Sequence, residues 1–345
     1  MTIRLAALLL LAWAATPPTA GAGGWERVSP GGDTVCGTGA PFSFFVRKAG
    51  RSDLLVFFQG GGACWSSQTC DLAGSPTWDP TVDPSDLAEN QQGILDLANP
   101  ANPFRDYSVV FVPYCTGDVH LGARRERYVG IDEADAVRIT EIEHRGRANA
   151  MAALRWAFEA RPKVRRAFVT GESAGGVASA HYAGVVAEHY PGARVAQLAD
   201  SSGAFRARAV PDLMDTWGAS AGLRELPGFD GRDLDFEALY LASASRSPQV
   251  SWAQVNRADD GVQAFFVSLV GRSDPTRALL AEAQAVLRGG LASFRTYLAP
   301  GTAHTILSTP AFYSEVVEGV RLRDWVAALA SGSPADDVRC PECAR

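Results

Sequence analysis

The sequence predicts an α/β fold, with a mostly parallel central sheet flanked by helices. Three observations carry this. Continuous apolar runs, as strands buried on both faces require, recur along the chain. Segments with apolar residues at helical spacing alternate with them, which favours parallel strands joined by helices. The length of 345 residues suits one large α/β domain, and 47% hydrophobic with 20% charged residues is an ordinary globular balance.

The elements follow in order. Residues 41–46 read as an early strand, and 54–59 (LLVFFQ) as a buried strand that ends in Gly60, Gly61 and Gly62. Residues 71–103 are rich in Pro, Asp and Asn and read as a long loop region. Residues 108–114 (SVVFVPY) form a second buried strand. Residues 133–160 read as a helix, with Ala150, Leu154, Trp156 and Phe158 at helical spacing. Residues 165–170 (RRAFVT) are a strand, 173–189 the helix behind it, and 195–198 a further strand. Residues 203–245 are mixed, with Trp217, Pro227 and Tyr240, and are expected to form a cap. The last two strands are 250–255 and 294–298, and 312–329 is a closing helix. Internal repeats and long low-complexity linkers are absent from the sequence.

The N-terminus reads as a secretory signal over residues 1–22. Arg4 precedes an apolar run that is too short to span a bilayer, and Ala20-Gly21-Ala22 resembles a cleavage site. Residues 23–345 are then one domain, secreted or periplasmic. No later stretch is apolar enough for stable membrane insertion, and the net charge of −6 argues against nucleic acid. Six cysteines in an exported chain read as disulfides. Six cysteines allow fifteen pairings, and the sequence alone does not choose among them. Cys64–Cys70, which brackets one short loop, is the first expectation, Cys36–Cys115 would be the long-range staple, and Cys340 and Cys343 form a tail disulfide or stay free. Neither a metal nor an organic cofactor is expected. Cys340 and Cys343 lack a second Cys pair or a nearby His, and the glycine-rich loop lacks a nucleotide-binding Lys.

Two G-x-S-x-G matches occur, around Ser173 and around Ser220. A nucleophile needs a strand before it and a helix after it, so that the turn lifts Oγ above the sheet. The segment RRAFVT-GESAGG-VASAHYAGVVAEHY supplies both, whereas no buried strand precedes Ser220. Ser173 is therefore the expected nucleophile, in an α/β-hydrolase-like fold. A serine hydroxyl needs a base, and the chain order in this fold is Ser, acid, His. Of the five histidines, His120 and His144 precede Ser173, His181 and His189 lie on the helix behind it, and only His304 lies downstream in a loop after a strand. The acid should follow the preceding strand, where Asp259 and Asp260 stand together, with Asp200 as a less favoured third candidate. The tetrahedral intermediate needs backbone N–H donors. One is expected from Ala174 and another from the loop Gly60-Gly61-Gly62-Ala63.

Six motifs resemble the pectin acetylesterase/Notum family of carboxylesterases: FFQGGGACW (57–65), VPYCTGDVHLG (112–122), GESAGG (171–176), LADSSGAF (198–205), ADDGVQ (258–263) and AHTIL (303–307). They span most of the chain in the family's order. The resemblance implies hydrolysis of ester-linked acyl groups, typically acetyl on polysaccharide. It implies Ser173 as nucleophile, Asp260 as acid and His304 as base, with Gly62, Ala63 and Ala174 as the oxyanion hole. One departure concerns the substrate wall, because Ala63 stands where many relatives carry Trp. The expected partner is an acylated small molecule or polysaccharide. The rivals are a deacylase of longer chains on protein or lipid, and an inactive secreted binding module, against which the intact Ser, Asp and His argue.

Overall fold

In the computed structural model, which describes residues 24–74, 76–131, 135–205, 213–223 and 236–344, the apolar runs form the interior of one sheet. The expected signal segment and parts of the expected cap (206–212 and 224–235) lie outside the described residues. The strands are β1 (Trp25–Val28), β2 (Phe44–Arg47), β3 (Asp53–Phe58), β4 (Ser108–Val112), β5 (Arg124–Ile131), β6 (Val137–His144), β7 (Arg166–Glu172), β8 (Arg194–Asp200), β9 (Ser251–Arg257), β10 (Arg295–Ala299), β11 (Val316–Val317), β12 (Val320–Arg321) and β13 (Val338–Arg339). The helices are α1 (Pro84–Asn90), α2 (Gly146–Ala160), α3 (Ala174–His189), α4 (Leu213–Thr216), α5 (Ala219–Leu223), α6 (Phe236–Arg246), α7 (Gly261–Leu269), α8 (Thr276–Gly290), α9 (Ala311–Ser314) and α10 (Leu322–Ser331).

Among the described residues the main sheet has nine strands, in the order β1-β2-β4-β3-β7-β8-β9-β10-β13. It is parallel from β4 to β13, and β1 and β2 add an antiparallel edge. The α/β-hydrolase-like architecture expected from the sequence is thus present. Strand β3 explains why. Its residues are all buried, and because successive side chains point to opposite faces, Leu54, Val56 and Phe58 enter one core while Leu55 and Phe57 enter the other. Helices α2 and α3 cover the first face, and α8 and α10 cover the second.

Order in the sheet fixes where a site can form. From β3 the chain moves outward to β4, then returns to place β7 on the other side of β3. The direction of winding therefore reverses between β3 and β7, and the crevice at their carboxyl ends is where open α/β sheets bind ligands.

Two segments differ from the sequence reading. Residues 137–144 are strand β6, paired with β5 in a separate hairpin, and the helix begins only at Gly146. VRITEIEH alternates with period two, and its Ile142 and His144 turn inward while Val137 and Ile139 face solvent beside Val129 and Ile131. Residues 312–329 are not one helix. Glu318 and Gly319 both have positive φ, 48° and 76°, which makes the two-residue turn that joins β11 to β12. Strands β1 and β13 at the sheet edges, and helices α1, α7 and α8, are additional to the sequence reading.

The cysteines pair as Cys36–Cys115, Cys64–Cys70 and Cys340–Cys343. The first closes a separation of 79 residues and the second only 6. A cross-link constrains the unfolded chain more when the loop is longer. Removing Cys36–Cys115 by paired Ala substitutions is expected to cost about 4 kcal/mol, against about 2 kcal/mol for Cys64–Cys70. Denaturant unfolding of the two double variants checks this. Equal losses would contradict loop closure as the source of stability.

Candidate active site

The loops leaving β3, β7, β8, β9 and β10 meet at the carboxyl edge of the sheet. Those after β3, β7, β9 and β10 each carry residues singled out from the sequence, and β8 ends in Asp200, the less favoured candidate for the acid. Ser173 follows β7 and is the N-terminal cap of α3, with φ 52° and ψ −122°. A non-glycine residue in that region is strained and persists only where its surroundings enforce it. Two contacts enforce it here. The Ser173 N–H donates to the Asp200 carbonyl at 2.8 Å, and Gly176 N–H returns to the Ser173 carbonyl at 2.9 Å. The flanking glycines are required by space. A Cβ at Gly175 would lie 2.0 Å from the Phe58 carbonyl oxygen, and one at Gly171 would lie 2.3 Å from the Gly175 oxygen. The second G-x-S-x-G match lies in α5, and the Ser220 hydroxyl is buried away from any strand-to-helix turn.

His304 follows β10. Its Nδ1 lies 2.7 Å from Asp260 Oδ2 and 3.0 Å from Oδ1. Its Nε2 is buried without a hydrogen-bond partner, and the ring lines the same cavity as Ser173. Among the described residues it is the one histidine that lines this cavity. His120, His144 and His181 are buried elsewhere in the fold. Burial pushes His120 and His144 down to about 4, and His181 to about 3, so all three are neutral.

The three aspartates separate cleanly. Asp260 is fully buried and caps α7, its Oδ1 accepting from the N–H groups of Val262 and Gln263 at 3.0 Å each. The Gln263 amide donates to Oδ2, also at 3.0 Å. Burial would raise its pKa, but the bond from His304, that ring's charge and the two Gln263 donors outweigh burial and lower it. Asp259 points the other way, into a two-pronged ion pair with Arg277 at 2.7 and 2.8 Å, on the solvent side. Asp200 is buried, but its carboxylate is occupied. Oδ2 accepts from Ile306 N–H and Leu307 N–H at 2.7 Å each, and Oδ1 from the Ser201 hydroxyl at 2.9 Å.

Gly62, Ala63 and Ala174 all line the cavity beside Ser173. Ala174 opens α3, where a backbone N–H has no acceptor within the helix. Gly62 has φ 78°, and a Cβ there would lie 1.8 Å from the Thr77 carbonyl oxygen, so only glycine fits this turn. The short Cys64–Cys70 loop follows at once. Cys64 N–H donates to the Gly117 carbonyl at 2.9 Å, and the Trp217 indole N–H donates to the Cys64 carbonyl at 2.7 Å. The loop is thereby held from two sides.

The walls of the cavity are mainly apolar. Trp65, Phe205, Trp217, Phe236 and Phe266 line it, with Val119, Val177 and Val262. Phe205 packs on Trp65 and on Phe236, with ring centroids 6.4 and 5.3 Å apart. Most of this wall went unread in the sequence. Phe205, Ser201 and Ser202 stand in the motif LADSSGAF, but Phe236 and Phe266 carry no local signal and reach the site only through the fold.

Glu172, the residue before Ser173, was also unread. It is buried, bonds to the Ser308 hydroxyl, and is pushed up to about 7 chiefly by burial and secondarily by the nearby Asp200 charge.

The family model described as Pectinacetylesterase matches residues 29–217, more than half of the 345-residue chain. "Inactive palmitoleoyl-protein carboxylesterase notum1b" of Danio rerio is 33% identical over 99 residues, covering 26% of this chain and 66% of the relative. "Palmitoleoyl-protein carboxylesterase notum1'" of Xenopus laevis is 31% identical over 98 residues, covering 26% of this chain and 19% of the relative. "Palmitoleoyl-protein carboxylesterase NOTUM" of Homo sapiens is 29% identical over 99 residues, covering 26% and 18%. The chain thus spans less than two thirds of these relatives, and less than a fifth of the latter two.

Two predictions follow from the carboxylates. Replacing the acid that orients an imidazole by its amide favours the wrong tautomer. Asp260→Asn should lower kcat by on the order of 10³–10⁴ with KM little changed, while Asp259→Asn stays near wild type. Steady-state kinetics on folded variants checks this, and a crippled Asp259→Asn beside an active Asp260→Asn would remove Asp260 from the role. Glu172 binds its proton more tightly in the folded chain than in the unfolded one, so the native state carries more protons and stability falls as pH rises from the ordinary Glu range to about 7. Glu172→Gln should flatten that decline in unfolding free energy. An unchanged decline would assign it to other groups.

Proposed function

The chain belongs to the pectinacetylesterase family, and on that premise we propose that it is a serine carboxylesterase acting through Ser173, His304 and Asp260. The observation that carries the reading is the bond between His304 Nδ1 and Asp260, with the unpartnered Nε2 of the same ring in the cavity that Ser173 lines. Ser173 Oγ attacks the ester carbonyl carbon and gives its proton to His304 Nε2. Asp260 accepts from Nδ1–H, which keeps Nε2 free as acceptor and stabilises the imidazolium. Negative charge on the carbonyl oxygen is met by the N–H groups of Ala174 and of the Gly62-Ala63 loop. The imidazolium protonates the departing alcohol, and water then releases the acid from Ser173 by the same proton path. This chemistry uses the chain's own side chains and needs no cofactor.

Acetyl ester on a polysaccharide is the first substrate reading, and the family supports it. The apolar wall favours a second one, a longer acyl chain, because Trp65, Phe205, Trp217, Phe236 and Phe266 offer aromatic surface well beyond what an acetyl methyl covers. The paired cysteines and the leader support a secreted or periplasmic location. Among the described residues no helix is long and apolar enough to cross a membrane.

Ser173→Ala should lower kcat by on the order of 10⁵–10⁶ while the protein stays folded. Ser220→Ala should leave activity unchanged, and a serine-reactive phosphonate should label Ser173. Label on Ser220, or full activity without the Ser173 hydroxyl, would sink the mechanism. In a series of aryl esters, a maximum in kcat/KM at acetyl selects the first substrate reading, and a maximum at longer chains selects the second.

A further inference from the structure

We infer that Asp200 and Glu172 are positioning residues, two buried carboxyls that clamp the loop carrying His304 onto the ends of β8 and β7. The inference rests on the esterase reading above.

The loop leaves β10 and reverses direction immediately after the histidine. Thr305 has φ 59°, and it faces Ser201, which has φ 53°. Neither is glycine, so both turns are strained and must be held from outside. The Asp200 carboxylate does this on one side, since a single oxygen takes the consecutive N–H groups of Ile306 and Leu307 at 2.7 Å each. Two adjacent amides converging on one carboxylate oxygen make a charge-assisted anchor. Ser201 completes it. Its hydroxyl donates to Asp200 Oδ1 at 2.9 Å and accepts from Thr305 N–H at 3.1 Å.

Glu172 holds the far end of the same segment, through the Ser308 hydroxyl. Its backbone runs directly into Ser173. The two carboxyls sit at the ends of neighbouring strands, with Glu172 and Asp200 paired in register. The nucleophile and the base loop are thereby referred to the same two rigid strands. Ile306 and Leu307 are fully buried as well, so the clamp is packed from below. Neither carboxyl bonds to the imidazole, which bonds to Asp260. Their contribution passes through the loop backbone, and it sets the position of His304 rather than its tautomer.

That distinction gives the test. Asparagine in place of Asp200 can keep the geometry of the anchor, though not its charge. Its one carbonyl oxygen can take both N–H groups, and its NH₂ can donate to Ser201 Oγ, which has a lone pair to spare. Alanine leaves both N–H groups and the strained turn unsupported. Misplacement of a catalytic group by on the order of 1 Å costs about a hundredfold. In the full-length mature protein with an aryl acetate, Asp200→Ala should lower kcat about tenfold to a hundredfold with KM within about twofold. Asp200→Asn should recover most of that loss, the reverse of the behaviour expected for Asp260→Asn. Ser308→Ala, half-buried on the loop, should lower kcat in the same direction and serves if Asp200→Ala does not fold. Wild-type kcat in folded Asp200→Ala, or in Ser308→Ala where the former is unfolded, would overturn the clamp. So would an Asp200→Asn variant as impaired as Asp260→Asn. A wild type that cleaves no ester, or a Ser173→Ala variant that still does, would instead remove the esterase reading itself.

Discussion

The backbone of Gly171 and Gly175 lies against the carbonyl oxygen of Phe58, with no room for a single added carbon at either position. This close approach brings the start of α3 down onto the end of β3, and the rest of the site depends on it. It forces the chain through the turn at Ser173, whose φ of 52° no relaxed serine adopts. Ala174, which opens α3, lines the same cavity as Gly62 and Ala63 of the loop that leaves β3. The strained turn at Ser173 and the start of α3 are therefore products of one steric constraint. Because β3 and β7 flank the point where the winding reverses, the space above them is free of a crossing connection.

Acidity is distributed with equal economy. Three buried carboxyls, on Glu172, Asp200 and Asp260, surround one imidazole, and burial raises the cost of charging each. Donors decide what each becomes. Asp260 sits at a helix N-terminus, with two backbone N–H groups, an amide and the His304 ring, and its pKa falls. Asp200 has two N–H groups and a hydroxyl but no bonded cation, and its pKa rises. Glu172 has the Ser308 hydroxyl and a neighbouring negative charge, and it rises to about 7. Only the first is equipped to balance a positive imidazole.

Much of this was legible in the sequence, for a physical reason. Strands buried on both faces must be apolar throughout, so β3, β4, β7 and β9 stand out as runs. Strand β6 was read as the start of a helix because two of its three apolar residues, Val137 and Ile139, face outward, which erases the contrast that strand patterning relies on. The closing helix was read through the turn at Glu318-Gly319, although that glycine marked it. At the site, Ser173, His304 and Asp260 each follow a strand and carry local motifs. Phe236 and Phe266 of the aromatic wall do not, and neither does the bonding of Asp200. Asp200 meets Ile306 across 106 residues, and nothing near either position announces the contact. Sequence reasoning weighed Asp200 as a rival acid because it ends a strand, which is true of its position but not of its bonds.

The outward face of the β5–β6 hairpin has a practical meaning. Val129 pairs with Ile139, and Ile131 with Val137, and all four side chains are open to solvent, while the opposite face holds Tyr128 and Ile142 against the Cys64–Cys70 loop. The two faces therefore answer to different demands. Inward residues pack against the disulfide loop beside the candidate site, whereas the four outward ones contribute no core packing and form a contiguous apolar strip on the surface. The surface of this hairpin can thus be altered separately from the candidate site. Threonine or lysine at those four positions keeps strand geometry, removes the apolar strip, and provides a face for crystallisation or surface attachment that leaves the carboxyl edge of the main sheet unobstructed.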